Sequence, residues 1–264
     1  MNNAPTRTHH ALTIAGSDSC GGAGIQADIK VINSLGVEAA SALTAITAQN
    51  TAGVRAVAVM APDMVRDQLE AVFEELPITA AKTGMLANAG IIEAVLDCLA
   101  SQAQLQLVVD PVMVATSGAR LLDGDAEAAM RDRLLPRAAL VTPNLPEAAA
   151  LTGLGENLAP EKLGEALLKL GCKAVLIKGG HAAGDQVEDL LLTESGTRRY
   201  THTRRKLRVH GTGCALSAAI TAFLARGETL ESAVDQAIAW LQLRLAGTWT
   251  AAAGELAMLP FANR

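Results

Sequence analysis

Short apolar runs, each broken by glycine or a polar residue and each followed by a helical pattern, recur from one end of this 264-residue chain to the other. Leu105-Gln106-Leu107-Val108-Val109-Asp110 is the clearest of them. A run this apolar, with little alternation, describes a strand buried on both faces, and such a strand needs helices above and below it. The runs over 11–15, 80–83, 138–142 and 173–178 read the same way. Between them, helical patterns are predicted over 25–35, 63–76, 91–100, 213–225 and 230–245, and another opens at Pro143. Residues 41–48 and 54–60 are β-like, and 187–193 with 197–200 form a hairpin around Ser195-Gly196. This order predicts an α/β fold of three layers, helices covering both faces of a mainly parallel sheet. With no linker or repeat in view, residues 10–264 form one domain behind a flexible polar tail, 1–9.

Composition removes several functions. Only three Phe, two Trp and one Tyr are present, too few for a surface that stacks nucleic-acid bases. A formal charge of −5 also argues against a polyanion partner. Cys20, Cys98, Cys172 and Cys214 form no paired motif, so neither a zinc nor a disulfide framework is expected and a reducing cytoplasm is the natural setting. No apolar run reaches membrane-spanning length, and the start lacks the apolar stretch of a signal peptide.

Chemistry concentrates where runs end. In an open parallel sheet ligands bind at the carboxyl edge of the strands, and Asp110 ends its run there. His210-Gly211-Thr212-Gly213-Cys214 precedes an alanine-rich helix, whose first amides and dipole suit a phosphate or a developing phosphoryl charge. Cys214 at that terminus is expected to be a thiol of lowered pKa, or else an inert buried cysteine. The first glycine loop, Gly16-Ser17-Asp18-Ser19-Cys20-Gly21-Gly22-Ala23-Gly24, loosely fits a dinucleotide fingerprint. Yet Gln49-Asn50, rather than an acidic residue, ends the second strand, and no GxxxxGK[ST] motif occurs, so a nicotinamide cofactor is disfavoured. A carboxamide such as Gln49 presents a donor and an acceptor side by side, as an aminopyrimidine-like edge requires, or it bonds backbone. Asp28 either shares that edge or lies on a solvated helix face. Asn144 and Glu147, three apart, suit hydrated Mg²⁺ and nucleotide phosphates, or cap a helix; both can hold together. Lys178-Gly179-Gly180 ends another run with a phosphate-compatible cation, and the basic stretch Arg204-Arg205-Lys206-Leu207-Arg208 is either a solvated loop or a phosphate neighbour.

In order, the segments ALTIAGSDSCGGAGIQAD, TAITAQNT, KTGML, DPVMVATSG, TPNLPEA, KGGH and HGTGCALS span nearly the whole chain. Together they resemble the hydroxymethylpyrimidine/phosphomethylpyrimidine kinases of the ribokinase-like superfamily. That resemblance implies a ribokinase-like αβα fold, usually a homodimer. It implies ATP·Mg-dependent phosphorylation of 4-amino-5-hydroxymethyl-2-methylpyrimidine and then of its monophosphate, in thiamin biosynthesis. By the same resemblance Gly16, Ala23, Asp28, Gln49, Met85, Val112 and Cys214 line a pyrimidine pocket, Gln49 on the amino edge and Asp28 on the hydroxymethyl group. Gly211, Thr212, Gly213 and the Cys214 amide form an anion hole, and Asn144 and Glu147 serve Mg²⁺ and nucleotide phosphates beside Asp110 and Lys178. Relatives in the superfamily carry Asp at the place of Cys214, so the thiol is a candidate base.

The chain departs from the family pattern at three places. Thr116 stands where a lysine is usual, Lys206-Leu207-Arg208-Val209 replaces a common TKNT, and Cys20 replaces a serine. A kinase of another small alcohol, such as pyridoxal, and a pyrimidine sensor without turnover are the alternatives to weigh.

Overall fold

The computed structural model describes residues 8–114, 118, 122–155, 157–181, 185–205, 208–250 and 256–261. Strands β1 (His10–Asp18), β2 (Glu38–Asn50), β4 (Ala80–Thr83), β5 (Gln106–Val109), β6 (Leu140–Val141) and β7 (Ala174–Ile177) run parallel at the centre of a nine-stranded sheet. Antiparallel β3 (Gly53–Val59) closes one edge, and β8 (Gln186–Thr193) with β9 (Gly196–Thr203) the other, in the order β3-β2-β1-β4-β5-β6-β7-β8-β9.

Alternation along each short strand sends side chains to two cores. Leu107 and Val109 pack with α2 (Pro62–Glu75), α3 (Ala89–Leu99), α5 (Leu145–Thr152) and α6 (Pro160–Lys169). Val108, one residue out of phase, packs on the opposite face with α1 (Gly24–Ser34), α7 (Thr212–Ala225) and α8 (Leu230–Leu245). This is the expected three-layer αβα arrangement, and it accounts for runs that are apolar at every position.

Several elements escape the sequence pattern. The short α4 (Gly124–Ala129) passes into a π turn, Met130–Leu134, and a 3-10 turn, Leu135–Arg137. Helix α6 carries Gly164 in its interior, where a side chain would run into Leu192. Strands β10 (Val209–His210), β11 (Trp249–Thr250) and β12 (Ala257–Met258) form a separate small sheet too short for periodicity. The first strand is longer than its apolar run: β1 continues through Gly16 to Asp18 after a register shift between Ala15 and Ser17, so the loop proper starts at Ser19. Of the expected tail, residues 1–7 lie outside the described residues, while the His9 carbonyl already accepts from the Glu38 amide.

Helix α1 is tied to β4 through a buried ion pair. Asp28 Oδ2 accepts from Lys82 Nζ at 2.8 Å and from Thr13 Oγ1 at 2.6 Å, and both charged side chains are fully buried. The solvated-face alternative for Asp28 is therefore wrong: its position on α1 turns inward, over the sheet. Burial works against the Lys82 charge, but Asp28, with Cys214 and Asp110, outweighs it and holds its pKa above the ordinary value. Removing one partner strands the other charge. Lys82→Ala is expected to cost about 3–5 kcal/mol, a fall in Tm on the order of 10 °C. The apolar double substitution Lys82→Met with Asp28→Leu should recover most of that loss; equal melting of single and double variants would contradict the stranded-charge account.

Candidate active site

The carboxyl ends of the parallel strands bring the sequence-predicted residues to one edge. Asp110 follows β5, Asn144 and Glu147 follow β6, Lys178 follows β7, and Gly16 and Gln49 lie on the last turns of β1 and β2. Helix α7 points its N-terminus at this edge. Its N-cap, Gly211, sits in the left-handed region at φ 76° and offers no side-chain cap. The first helical bond runs from the Ala215 amide to the Gly211 carbonyl, so the amides of Thr212, Gly213 and Cys214 precede it.

Two glycines fix where those amides lie. A Cβ on Gly211 would collide with the Gly22 carbonyl oxygen, so the second loop rests backbone-to-backbone on the first. A Cβ on Gly213 would come 3.3 Å from Lys178 Nζ and 3.7 Å from Asp110 Oδ2. The helix terminus is thus bounded by a glycine loop on one side and an ion pair on the other. Lys178 Nζ donates to Asp110 Oδ1 at 2.9 Å and lies 3.9 Å from Glu147 Oε2. Asp110 is buried, and Ser217 Oγ of α7 donates to its Oδ2 at 3.3 Å. Asn144 and Glu147 do form a reciprocal capping box: each side chain accepts the other's amide at 2.8 Å. The capping role is real; it engages Oε2 of Glu147.

Around the first loop, Asp18 collects donors. It accepts from the amides of Cys20, Gly22 and Ala23, from the Cys20 thiol and from His210 Nε2. Burial alone would raise its pKa, but His210 and the Cys20 and Ala23 bonds overcome this and hold it at about 2. Asp18 and His210 were not among the candidate residues. The SDS run after a strand and the His before GTGC were the available signals. Gln49 Oε1 accepts from Thr47 Oγ1 at 3.4 Å, while its Nε2 lies 3.4 Å from His210 Nε2. Met85 Sδ lies 3.1 Å from where a Gly16 Cβ would stand, Ala23 is the N-cap residue of α1, and the Val112 amide donates to the Asp110 carbonyl. Asp28 Oδ1, by contrast, is buried without a partner.

One expectation is overturned. Cys214 is not a thiol of lowered pKa: burial pushes it up to about 11, and the opposing pull of Lys82 and of the Gly24 amide does not reverse that, although part of its side-chain surface remains open. Helix-terminus charge is a partial effect, and here removal from water wins. Thr116, Lys206 and Leu207 lie outside the described residues. Arg204 Nη1 donates to the Gly180 carbonyl, and Arg204 and Arg205 join Lys178, Thr212 and Gly213 around a cleft walled on its other side by Leu216, Ile238, Leu241 and Leu245.

Comparison with known proteins gives the same picture of the chain. Residues 18–258 match the family described as phosphomethylpyrimidine kinase. A hydroxymethylpyrimidine/phosphomethylpyrimidine kinase of Salmonella typhimurium is 45% identical over 250 residues, covering 93% of this chain and 94% of its own. The crystal structure of a phosphomethylpyrimidine kinase from Clostridium difficile is 40% identical with a TM-score of 0.80, over 90% of this chain and 100% of that one. A pyridoxal kinase from Staphylococcus aureus, in complex with AMP-PCP and pyridoxal, is 33% identical with a TM-score of 0.88, over 97% and 94%.

The electrostatics of the edge are asymmetric. Burial raises the Glu147 carboxyl from 4.5 to about 7, with Asp110 adding to the rise and Lys178 opposing it. The folded protein therefore holds a proton on Glu147 that the unfolded chain has already lost between those values. Stability from this group is fully present below about pH 4.5 and declines as the pH climbs through 7. Glu147→Gln should remove this component. The difference in unfolding free energy between wild type and variant, with neither nucleotide nor metal added, should change by on the order of 1–3 kcal/mol over that window. A constant difference across it would contradict the assignment.

Proposed function

The chain belongs to the phosphomethylpyrimidine kinase family, and we propose that it transfers phosphoryl groups from ATP to 4-amino-5-hydroxymethyl-2-methylpyrimidine and then to its monophosphate, in thiamin biosynthesis, with the work divided across its cleft. The observation that carries the proposal is the uncapped N-terminus of α7, held between the Gly22 backbone and the Lys178–Asp110 pair. Phosphoryl transfer passes through a loose transition state, so a catalyst acts mainly by alignment and charge neutralisation. The amides of Thr212, Gly213 and Cys214, at Gly211, are the donors for the transferred group, and Lys178 is the adjacent cation.

The nucleotide lies in the cleft beside α7 and α8. Its apolar wall of Leu216, Ile238 and Leu241 suits a base and Lys178 suits its phosphates, while Arg204 and Arg205 at the same cleft are assigned to the phosphate of the monophosphate substrate, in place of the lysine that Thr116 replaces. The carboxylates of Asp110 and Glu147 with the Asn144 carbonyl are a hard-oxygen donor set of the kind Mg²⁺ takes, and Oε1 of Glu147 stays outside the capping bond. Bound there, Mg²⁺ would neutralise nucleotide phosphate charge; these residues would hold it.

The pyrimidine lies on the other side, against Gly16, Ala23, Gln49, Met85 and Val112. Its support is chemical. Asp28 Oδ1 lacks a partner, but its side chain is fully enclosed with Lys82 and Thr13, so the support falls to the Gln49 amide, which faces the loop junction. Cys214 assists rather than drives proton removal, because a thiol held near 11 is protonated at neutral pH. Asp110, with Lys178 to spread its charge, is the nearer carboxylate.

Two further parts belong to this reading. The chain works as a homodimer, and Val57 and Val59, exposed apolar side chains on one face of the edge strand β3, are the support for a covered face there. It works in the cytoplasm: its four cysteines are unpaired, and among the described residues no helix is long and apolar enough to cross a membrane.

One coupled assay with ATP and, in parallel, hydroxymethylpyrimidine, its monophosphate and pyridoxal tests the reading. Product from both pyrimidines is expected; product from pyridoxal alone would overturn the substrate. In single turnover, Cys214→Ser and Cys214→Ala should slow the first step by about tenfold, since loss of a true general base costs 10²–10⁴-fold, by rough estimate. A wild-type rate in both removes Cys214 from the reaction. Neutralising Arg204, Arg205, Lys206 and Arg208 together should weaken the monophosphate step more than the alcohol step, and equal loss in both would contradict their role.

A further inference from the structure

Asp18, Cys20 and His210 each offer one ligand atom, and these atoms lie within 4.8 Å of one another. Their present arrangement is unusual in one respect. Asp18 Oδ2 receives four donors: the Gly22 amide at 3.1 Å, the Ala23 amide at 2.8 Å, the Cys20 thiol at 3.3 Å and His210 Nε2 at 2.9 Å. The two amides are fixed by the backbone. The other two donors carry protons that a cation can replace, because a thiol and an imidazole each turn a lone pair outward once that proton is gone.

We propose that Asp18 Oδ2, Cys20 Sγ and His210 Nε2 form a binding site for a borderline-soft divalent cation, zinc above all. A tetrahedral zinc ion with one sulfur, one nitrogen and one oxygen ligand holds them roughly 3.3–3.6 Å apart. The thiol–carboxylate separation of 3.3 Å is already in that range, and the imidazole–carboxylate separation of 2.9 Å has to open by a few tenths of an ångström. Zinc enters as the dication. The thiol proton leaves to solvent, the Nε2 proton is replaced by one on Nδ1, and the ion's fourth position is taken by water. Asp18 and His210 are buried while Cys20 is partly exposed, so the ion arrives from the Cys20 side. Nothing in this set favours magnesium, which seeks oxygen and keeps its water. The site shares no ligand with the Asp110–Glu147 carboxylates, and it borders the proposed pyrimidine pocket, with His210 Nε2 3.4 Å from Gln49 Nε2.

A bound ion would join two segments that now meet through hydrogen bonds and the Gly211–Gly22 backbone contact. Cys20 belongs to the first glycine loop, and His210 directly precedes the Gly211 turn that caps α7. Oxidising or alkylating conditions that consume Cys20 would remove the site and leave the other two ligands in place.

The protein as it stands, freed of metal, tests this with cobalt(II) and zinc as the probes. One equivalent of cobalt should produce a thiolate-to-cobalt charge-transfer band with tetrahedral visible absorption, and zinc should bleach both. Cys20→Ser and Cys20→Ala should abolish the charge-transfer band and weaken zinc binding, measured by competition with a chromogenic chelator, by about 100-fold or more. Cys98→Ser, on α3, should change neither. Unaltered metal-free melting and kinase activity of the Cys20 variants would show that the fold is kept. A band that survives both Cys20 substitutions, or wild-type protein that gives no band at one equivalent, overturns the proposal.

Discussion

The contact between Gly211 and the carbonyl of Gly22 is the constraint on which the site depends. It is made of backbone alone, and neither position tolerates a side chain: a Cβ on Gly22 would stand 2.7 Å from the His210 ring and 2.5 Å from Met258. Because no side chain intervenes, the α7 terminus reaches the first loop with its amides bare. The first loop in turn holds its shape because Asp18 gathers three of its amides, and His210 with the Cys20 and Ala23 bonds holds that carboxyl at about 2 against its burial. Helix dipole, uncapped amides and glycine turns act together here, where any one of them alone would be an ordinary helix start.

Around this backbone core the charges are arranged in two layers. Lys82 and Asp28 are wholly buried below, and Lys178, Asp110 and Glu147 stand at the edge of the cleft. The buried layer is matched in number, one cation to one carboxylate. The upper layer has two carboxylates to one lysine, and burial, with Asp110 adding to it against the pull of Lys178, is why Glu147 retains its proton to about pH 7. Cys214 sits between the layers. Lys82 draws its pKa down and Asp28 and Asp110 push it up, which leaves desolvation to decide.

Much of this was legible because the strand ends carry the chemistry. Buried apolar runs located β5, β6 and β7, and the polar residues that stop them, Asp110, Asn144 and Lys178, are the ones the structure brings to one edge. What stayed hidden depends on direction rather than identity. Sequence alone left Asp28 on either an inner or an outer helix face, and nothing in the run over 80–83 marks Lys82 as its partner until the two are found 2.8 Å apart. The Cys214 shift was misread because a helix terminus is visible in sequence and desolvation is not. The small sheet of β10, β11 and β12 offered no pattern, since two-residue strands have no period to detect.

Fold likeness does not separate the substrates. The pyridoxal kinase superposes with the higher TM-score, 0.88 against 0.80, yet is the less identical, 33% against 40%. The shared architecture therefore supplies the phosphoryl-transfer edge, and the choice of alcohol rests on side chains that meet the ring. With six aromatic residues in 264, this chain has little with which to sandwich a heterocycle. In the proposed pocket, grip then falls to Met85, whose sulfur reaches within 3.1 Å of the Gly16 Cβ position, and to Ala23 and Val112. Small and polarizable contacts of this kind hold a flat ring by shape and leave its orientation to polar groups. Both rings present a hydroxymethyl group for phosphorylation, so in the proposed pocket discrimination between a pyrimidine and a pyridine ring reduces to whether the ring offers an amino edge to Gln49.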